Sequence, residues 1–330
     1  MGDQIKKLNV AFWNVENLFC PGSGRAPKTK KEYDAKVETL ADIINSFFEK
    51  KGPDILGLAE VGTREALNDL STKLNWQYRV IWEGCNSKDD NTGLALLARK
   101  ETIAAISLRT RYPEEKASRP KFIVVECSFP NSKEKVVVAV NHWASRIYET
   151  SSQSREITAI ELNSFMRILS CSRPPGQIPC QIVLGDFNSE PFEDYFNAAH
   201  LDSTRFHHKA LCKAKTGPLY NTAWRLLPEP HSWKGPRPDG FQDSRPKSSH
   251  SGSSWVIFDQ LLVTKDALLG NPLQLREESV QYYWKDKRLH HFTKDGGILP
   301  KKWKFDAKSS KPEGVSDHFP LVATFDLKGV

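Results

Sequence analysis

Apolar residues recur along the chain in two rhythms. Short runs rich in β-branched residues predict buried strands at Leu8–Trp13, Asp54–Leu58, Leu94–Ala98, Phe122–Cys127, Lys135–Val140, Gln181–Leu184, Trp255–Val263 and Leu321–Phe325. Over Tyr33–Lys50 the spacing changes: Val37, Leu40, Ile43, Ile44, Phe47 and Phe48 form a helical stripe that ends at Lys50-Lys51-Gly52-Pro53, cations followed by a Gly-Pro stop. A second stripe, Ile157, Ile160, Phe165, Ile168 and Leu169, predicts a helix between the strands at Lys135–Val140 and Gln181–Leu184. Strand, helix, strand recurs, so the pattern predicts an α/β protein. Two stretches depart from it. Phe206–Ser254 and Tyr282–Lys304 are rich in Lys and Arg with interleaved rings (Trp224, Trp233, Tyr282, Tyr283, Trp284, Trp303) and show little periodicity.

The 330 residues, 39% hydrophobic and 26% charged, are ample for one large packed domain and exclude global disorder, collagen and coiled coil. No run approaches the roughly 18 apolar residues of a membrane span, and Met1–Lys6 has no apolar stretch of the kind a secretory signal needs. Six scattered cysteines form no CxxC pair and no zinc spacing, which favours reduced thiols and a cytoplasmic location. Lys plus Arg outnumber Asp plus Glu by 47 to 40, for a net charge of +7. That excess suits a polyanionic partner, and cations beside stacking rings in the two irregular segments suit nucleic acid; solvated loops are the alternative.

Polar residues gather at the ends of the predicted strands. Asn14 and Glu16 follow the first, Glu60 the second, Asn141 and His142 the fifth, Asp186 and Asn188 the sixth; Asp259 lies inside the seventh, and Asp317 and His318 precede the last. Each alone is weak. Together they supply carboxylates, amides and two imidazoles, an inventory for a hard divalent cation with acid–base groups beside it.

WNVENLF (Trp13–Phe19), GLAEV (Gly57–Val61), VNHWASR (Val140–Arg146), LGDFNSEP (Leu184–Pro191), WVIFDQLL (Trp255–Leu262) and SDHFPL (Ser316–Leu321), in this order, resemble the signature of the endonuclease/exonuclease/phosphatase superfamily. The resemblance spans nearly the whole chain and implies one domain over residues 1–330, with irregular basic insertions at about 206–254 and 282–304. It implies the deoxyribonuclease I-like fold, a four-layer α/β sandwich of two packed, mainly antiparallel sheets flanked by helices. It also implies in-line attack of water on phosphorus with bound Mg²⁺ or Mn²⁺. By that resemblance Glu60, Asn14, Asp317 and Glu16 hold the metal. Asp186 orients or deprotonates the water, Asn188 fixes its geometry, and His318, paired with Asp259, and His142 serve the phosphate. Asn141, Arg146, Arg155 and Trp255 are the implied substrate-binding residues.

The substrate is less defined. SSWVIFDQLL lacks the Pro-Ala-Trp-Cys-Asp-Arg stretch of inositol phosphatases, and His142 stands where apurinic-site enzymes commonly have Tyr. The basic excess favours a nuclease on DNA or RNA. The alternatives are a phosphoesterase for a small molecule or phospholipid headgroup, and an inactive binding module on the same fold.

Overall fold

A computed structural model describes residues 6–22, 27–84, 92–110, 120–130, 132–146, 151–171, 180–211, 217–226, 241–242, 255–270, 272–292, 298–309 and 311–328. The strands are β1 (Lys6–Leu18), β2 (Ile55–Val61), β3 (Tyr78–Glu83), β4 (Gly93–Arg99), β5 (Ala105–Leu108), β6 (Phe122–Ser128), β7 (Lys135–His142), β8 (Cys180–Asp186), β9 (Ser203–Thr204) and β10 (Leu219–Asn221). They continue with β11 (Phe241–Gln242), β12 (Trp255–Val256), β13 (Asp259–Val263), β14 (Leu273–Tyr282), β15 (His290–Phe292), β16 (Ile298–Pro300), β17 (Lys304–Asp306), β18 (Lys311–Gly314) and β19 (Leu321–Leu327). Three helices matter for the layers: α1 (Lys30–Lys50), α2 (Arg64–Lys73) and α3 (Ser151–Cys171).

One sheet runs β14-β19-β1-β2-β4-β3 and the other β5-β6-β7-β8-β13-β10-β9. The first sheet contains one parallel pair, β1 with β2, linked through α1; the second contains β7 with β8, linked through α3, and the short pair β9 with β10. Most other neighbours are antiparallel, which gives two mixed sheets of the deoxyribonuclease I-like sandwich. The sheets meet face to face. A Cβ on Gly57 would fall 2.9 Å from Leu184 and 3.1 Å from Val140, so glycine lets β2 press against β7 and β8. Outside the second sheet, Ala159, Leu162 and Met166 of α3 close a separate core over Val124, Val137, Ala139 and Val183.

Three sequence expectations need correction. The segment Trp255–Val263 is two strands: β12 pairs with β11, and β13 enters the second sheet beside β8. Three of the five apolar positions assigned to α3 lie on its outer face, Ile157, Ile160 and Ile168 being between 43% and 64% exposed, while Phe165 and Leu169 pack against the core of the second sheet. Beside them the helix buries Thr158, Ala159, Leu162 and Met166. The two basic stretches are not wholly irregular. Leu219–Asn221 is a buried strand of the second sheet, and His290–Phe292 pairs with Ile298–Pro300; residues 212–216, 227–240, 243–254 and 293–297 lie outside the described residues. Among the described residues no helix is long and apolar enough to cross a membrane.

Candidate active site

The first sheet contributes residues where its two parallel strands leave regular pairing. The β1–β2 register shifts after Asn14, and the β2–β4 register shifts between Ala59 and Val61. At these bulges Glu16 and Glu60 have φ of +47° and +62°, a left-handed conformation that costs a side chain with Cβ of order 1–3 kcal/mol. Local hydrogen bonds hold them there: Glu16 N–H donates to Asn14 Oδ1 (3.1 Å), and Asn17 N–H to Glu60 Oε2 (3.0 Å).

The second sheet contributes a row across three strands, because His142 and Asp259 are both register partners of Asp186. Gly185, with φ +151°, makes the row possible; a Cβ there would lie 2.3 Å from the Asn141 carbonyl. Asn188 is also left-handed, at φ +47°, and its N–H donates to Asp186 Oδ1 (2.9 Å). The loop before β19 is fastened to β1. Ser316 Oγ donates to Asn14 O (2.6 Å) and accepts from His318 N (3.1 Å), while Trp13 Nε1 donates to His318 O (2.9 Å).

The two halves converge. Asn14 Nδ2 donates to Glu60 Oε1 and to Asp186 Oδ2, both at 3.1 Å, and lies 3.4 Å from His318 Nε2. His142 Nε2 is 3.7 Å from Glu60 Oε1 and from Asp186 Oδ2, and His318 Nε2 is 3.7 Å from Asp186 Oδ2. His318 Nδ1 faces Asp259 Oδ2 at 2.7 Å, both groups buried. Burial alone would pull the His318 pKa down; Asp259 and then Asp186 outweigh it and hold the ring well above its ordinary range, as an imidazolium. Burial pushes Asp186 up to about 6, against the pull of His318. Asp317 sits at the rim, its Oδ1 4.0 Å from His318 Nε2 and its Oδ2 3.6 Å from Lys302 Nζ. Glu16 is pushed up to about 7 by burial and by the Asp317 charge.

The structure therefore brings together Asn14, Glu16, Glu60, His142, Asp186, Asp259, Asp317 and His318. It gives the remaining predicted residues other surroundings. Asn141 is fully buried, donating to Leu184 O (3.1 Å) and accepting from Trp143 Nε1 (3.1 Å). Arg155 is buried, ties α3 to Ala144 O (3.1 Å) and donates within the helix to Ser151 Oγ (3.0 Å). Arg146 donates to Asn188 O (2.9 Å), pairs with Glu193 and lies over the Phe258 ring, so it braces the Asp186–Asn188 turn. Asn188 Nδ2 donates to Trp143 O (3.2 Å). Trp255 begins β12, and its side chain lies outside the described residues.

Two participants were not predicted. Lys36 of α1 is wholly buried beneath the carboxylates, donates to the Glu16 carbonyl and lies 4.9 Å from the Trp303 ring centre. Burial pushes its pKa down to about 8, against the attraction of Glu16, Glu60 and Asp317. Its sequence signal was a cation between Tyr33 and Leu40 on the apolar stripe. Trp303 N–H donates to Glu16 Oε2 (2.7 Å), which docks the second basic segment on the site.

The donor set fits a hard divalent cation: carboxylates and an amide, with Asp259 Oδ1 buried and lacking a hydrogen-bond partner. The tightest group of ligating atoms is Asp186, Asp259 and His318, all within 4.8 Å. This differs from the expected ligands at Glu60, Asn14, Asp317 and Glu16.

An acid–imidazole constellation at the junction of two such sheets defines a phosphoester-hydrolase architecture. The Endonuclease/Exonuclease/phosphatase family model matches residues 9–326, and the chain belongs to that family, whose members are phosphoesterases and nucleases. No curated protein sequence matches the chain. Solved structures share its fold at low identity. An endonuclease/exonuclease/phosphatase family protein from Bacteroides thetaiotaomicron has TM-score 0.57 at 16% identity, covering 99% of this chain and 100% of the other. TDP2 from D. rerio, solved with a single-strand DNA product, has TM-score 0.55 at 14% identity, covering 97% and 99%. A mannosyl-6-phosphatase from Bacteroides thetaiotaomicron VPI-5482 has TM-score 0.56 at 16% identity, covering 96% and 99%.

Proposed function

We propose that the protein is a divalent-metal-dependent phosphodiester hydrolase that cleaves nucleic acid, DNA or RNA, by in-line attack of water. The observation that carries this reading is the convergence of Asn14 and Glu60 from one sheet with His142, Asp186, Asp259 and His318 in a single cluster. A phosphodiester repels hydroxide and leaves as a poor alkoxide. Glu60 and Asp317, with Asn14 and Glu16 in support, would hold Mg²⁺ or Mn²⁺, which would supply positive charge for the phosphate and leaving oxygens. Asp186, titrating near neutrality, orients and deprotonates the water. Asn188 holds Asp186 through its N–H. His318, kept cationic by Asp259, donates from Nε2 to a non-bridging oxygen, and His142 serves the leaving side. The unpaired thiols of Cys20, Cys127, Cys171 and Cys180 suit a reducing cytoplasm.

A panel of single- and double-stranded DNA, RNA, abasic DNA, bis-p-nitrophenyl phosphate, inositol phosphates and sphingomyelin, with Mg²⁺ or Mn²⁺, tests the reading. Chelator should abolish hydrolysis, and Asp186→Asn should remove most of it while the protein stays folded. Near-normal turnover by Asp186→Asn would refute the assignment. The fold shared with a mannosyl-6-phosphatase supports the second reading, a phosphoesterase for a small molecule or phospholipid headgroup. That reading requires turnover on the small substrates with little salt dependence, whereas binding of a polynucleotide weakens steeply as salt rises.

A further inference from the structure

An open groove of about 1310 Å³ runs from the outer face of the first sheet, around the ends of its strands at Lys6 and Arg99, to Phe129 and Pro130, which follow β6 of the second sheet. Val322, Thr324 and Leu327 of β19 line it, so it spans five residue steps along that strand, roughly 17 Å. One wall exists because β14 bulges: between two paired positions it takes five steps, Arg276 to Gln281, against two on β19, Thr324 to Val322. Ser279 in the bulge is fixed by Thr324 N–H (2.8 Å). The opposite wall is the end of α1, where Phe48, Glu49 and Lys50 are all left-handed (φ +52°, +58° and +68°) and turn the chain outward. That turn places Lys50 and Lys51 on the rim, with Lys6 and Lys7 at one end of the groove and Lys285 at the other. All five lysines are exposed. Of the carboxylates in the walls, Asp54 is paired with Arg99 at 3.4 Å, leaving a cationic excess.

Half-buried rings alternate with these cations. Tyr283 is locked by a 2.8 Å hydrogen bond to Ser46 Oγ and by edge contact with Phe47 at 4.8 Å. Trp284 and Trp76 pack one side on the core. Pre-ordered rings beside lysines suit stacked bases with a phosphate backbone; an acidic peptide would leave the rings unused. Tyr282, buried beside the lining rings, donates to the Asp259 backbone carbonyl (2.7 Å) and so fastens this part of the groove floor to the second sheet.

We propose that this groove binds a single-stranded stretch of polynucleotide, about three to five nucleotides at ~3.4 Å each. The proposal rests on the nucleic-acid reading above for the identity of its occupant. Its test is binding in chelator, which is independent of hydrolysis. Fluorescent oligothymidylate is titrated across a salt series into wild type and the Lys50→Glu/Lys51→Glu double variant, and ultraviolet cross-links are mapped by mass spectrometry. The variant should bind about tenfold more weakly at ~50 mM salt, with a salt slope smaller by roughly 1.4. Cross-links at Tyr283 or Trp284 should fade, and turnover of bis-p-nitrophenyl phosphate should be unchanged. Wild-type affinity and slope in the variant, no oligonucleotide binding at all, or an equal loss of polyglutamate binding would each overturn the groove. Metal-dependent cleavage of nucleic acid alongside any of these would leave the hydrolase reading standing.

Discussion

Asp259→Asn probes the electrostatic centre of the cleft. Asparagine keeps the shape of the side chain and an oxygen 2.7 Å from His318 Nδ1, but removes the charge. Burial, which lowers the His318 pKa, then loses its strongest opponent; Asp186 at 3.7 Å and Asp317 remain. The imidazolium should therefore release its proton at lower pH than in wild type. If cationic His318 donates to the phosphate, the alkaline limb of kcat/KM moves to lower pH, and activity at neutral pH falls by about 10²–10³, the usual loss for one transition-state donor. Stability should follow. A histidine with a raised folded pKa contributes stability that is fully present below its ordinary value of 6.5 and is lost as pH rises through the folded value. Removing one partner of a buried pair costs about 3–5 kcal/mol when the other stays charged, and less here because His318 can deprotonate. The assay is hydrolysis of bis-p-nitrophenyl phosphate with Mg²⁺ between about pH 5.5 and 9.5, paired with urea denaturation. Superimposable pH profiles, with kcat/KM within about threefold, would dismiss a cationic His318 from the reaction.

Three further outcomes follow from the geometry. Glu60→Gln should raise the Mg²⁺ concentration for half-maximal activity by at least about tenfold; an unchanged metal titration removes Glu60 from the ligand set. Glu190, which accepts from Ile257 N–H (3.2 Å), is pushed up to about 7 by burial. Its stabilising contribution is complete below pH 4.5 and disappears as pH rises through 7, so Glu190→Gln should stabilise the protein at pH 8 by up to about 3 kcal/mol and leave it unchanged near pH 4, as read by denaturant melts. Lys36→Met fills the same space without the charge beneath Glu16, Glu60 and Asp317. Its Tm in chelator should fall while the rise produced by Mg²⁺ exceeds that of wild type; an equal rise in both proteins separates Lys36 from the metal site.

The sequence disclosed most of the cleft because its residues sit beside strands that are themselves readable. Asp186 ends an apolar β-branched run, and His318 precedes another. Geometry that depends on departures from regular structure was not readable. Glu60 was expected beyond a strand but lies within β2, turned by a bulge and a left-handed φ for which glutamate has no preference. β14 alternates imperfectly because three extra residues are looped out of its ladder, and it left no clear strand signal. The misplaced face of α3 has a related cause: isoleucine raises the apolar pattern, but the second sheet offers room for Ala159 and Leu162. Asn141 and Arg155 read as ligand-binding residues in the sequence; the structure shows that each donates to a backbone carbonyl inside the protein, Leu184 O and Ala144 O.

Ser316, whose hydroxyl holds both Asn14 O and His318 N–H, makes the cleft depend on residues more than three hundred positions apart. During synthesis the ribosome delivers Glu60, His142 and Asp186 long before this tether. On the proposed hydrolase reading, the site is incomplete on a nascent chain until Ser316–His318 has emerged and folded against β1.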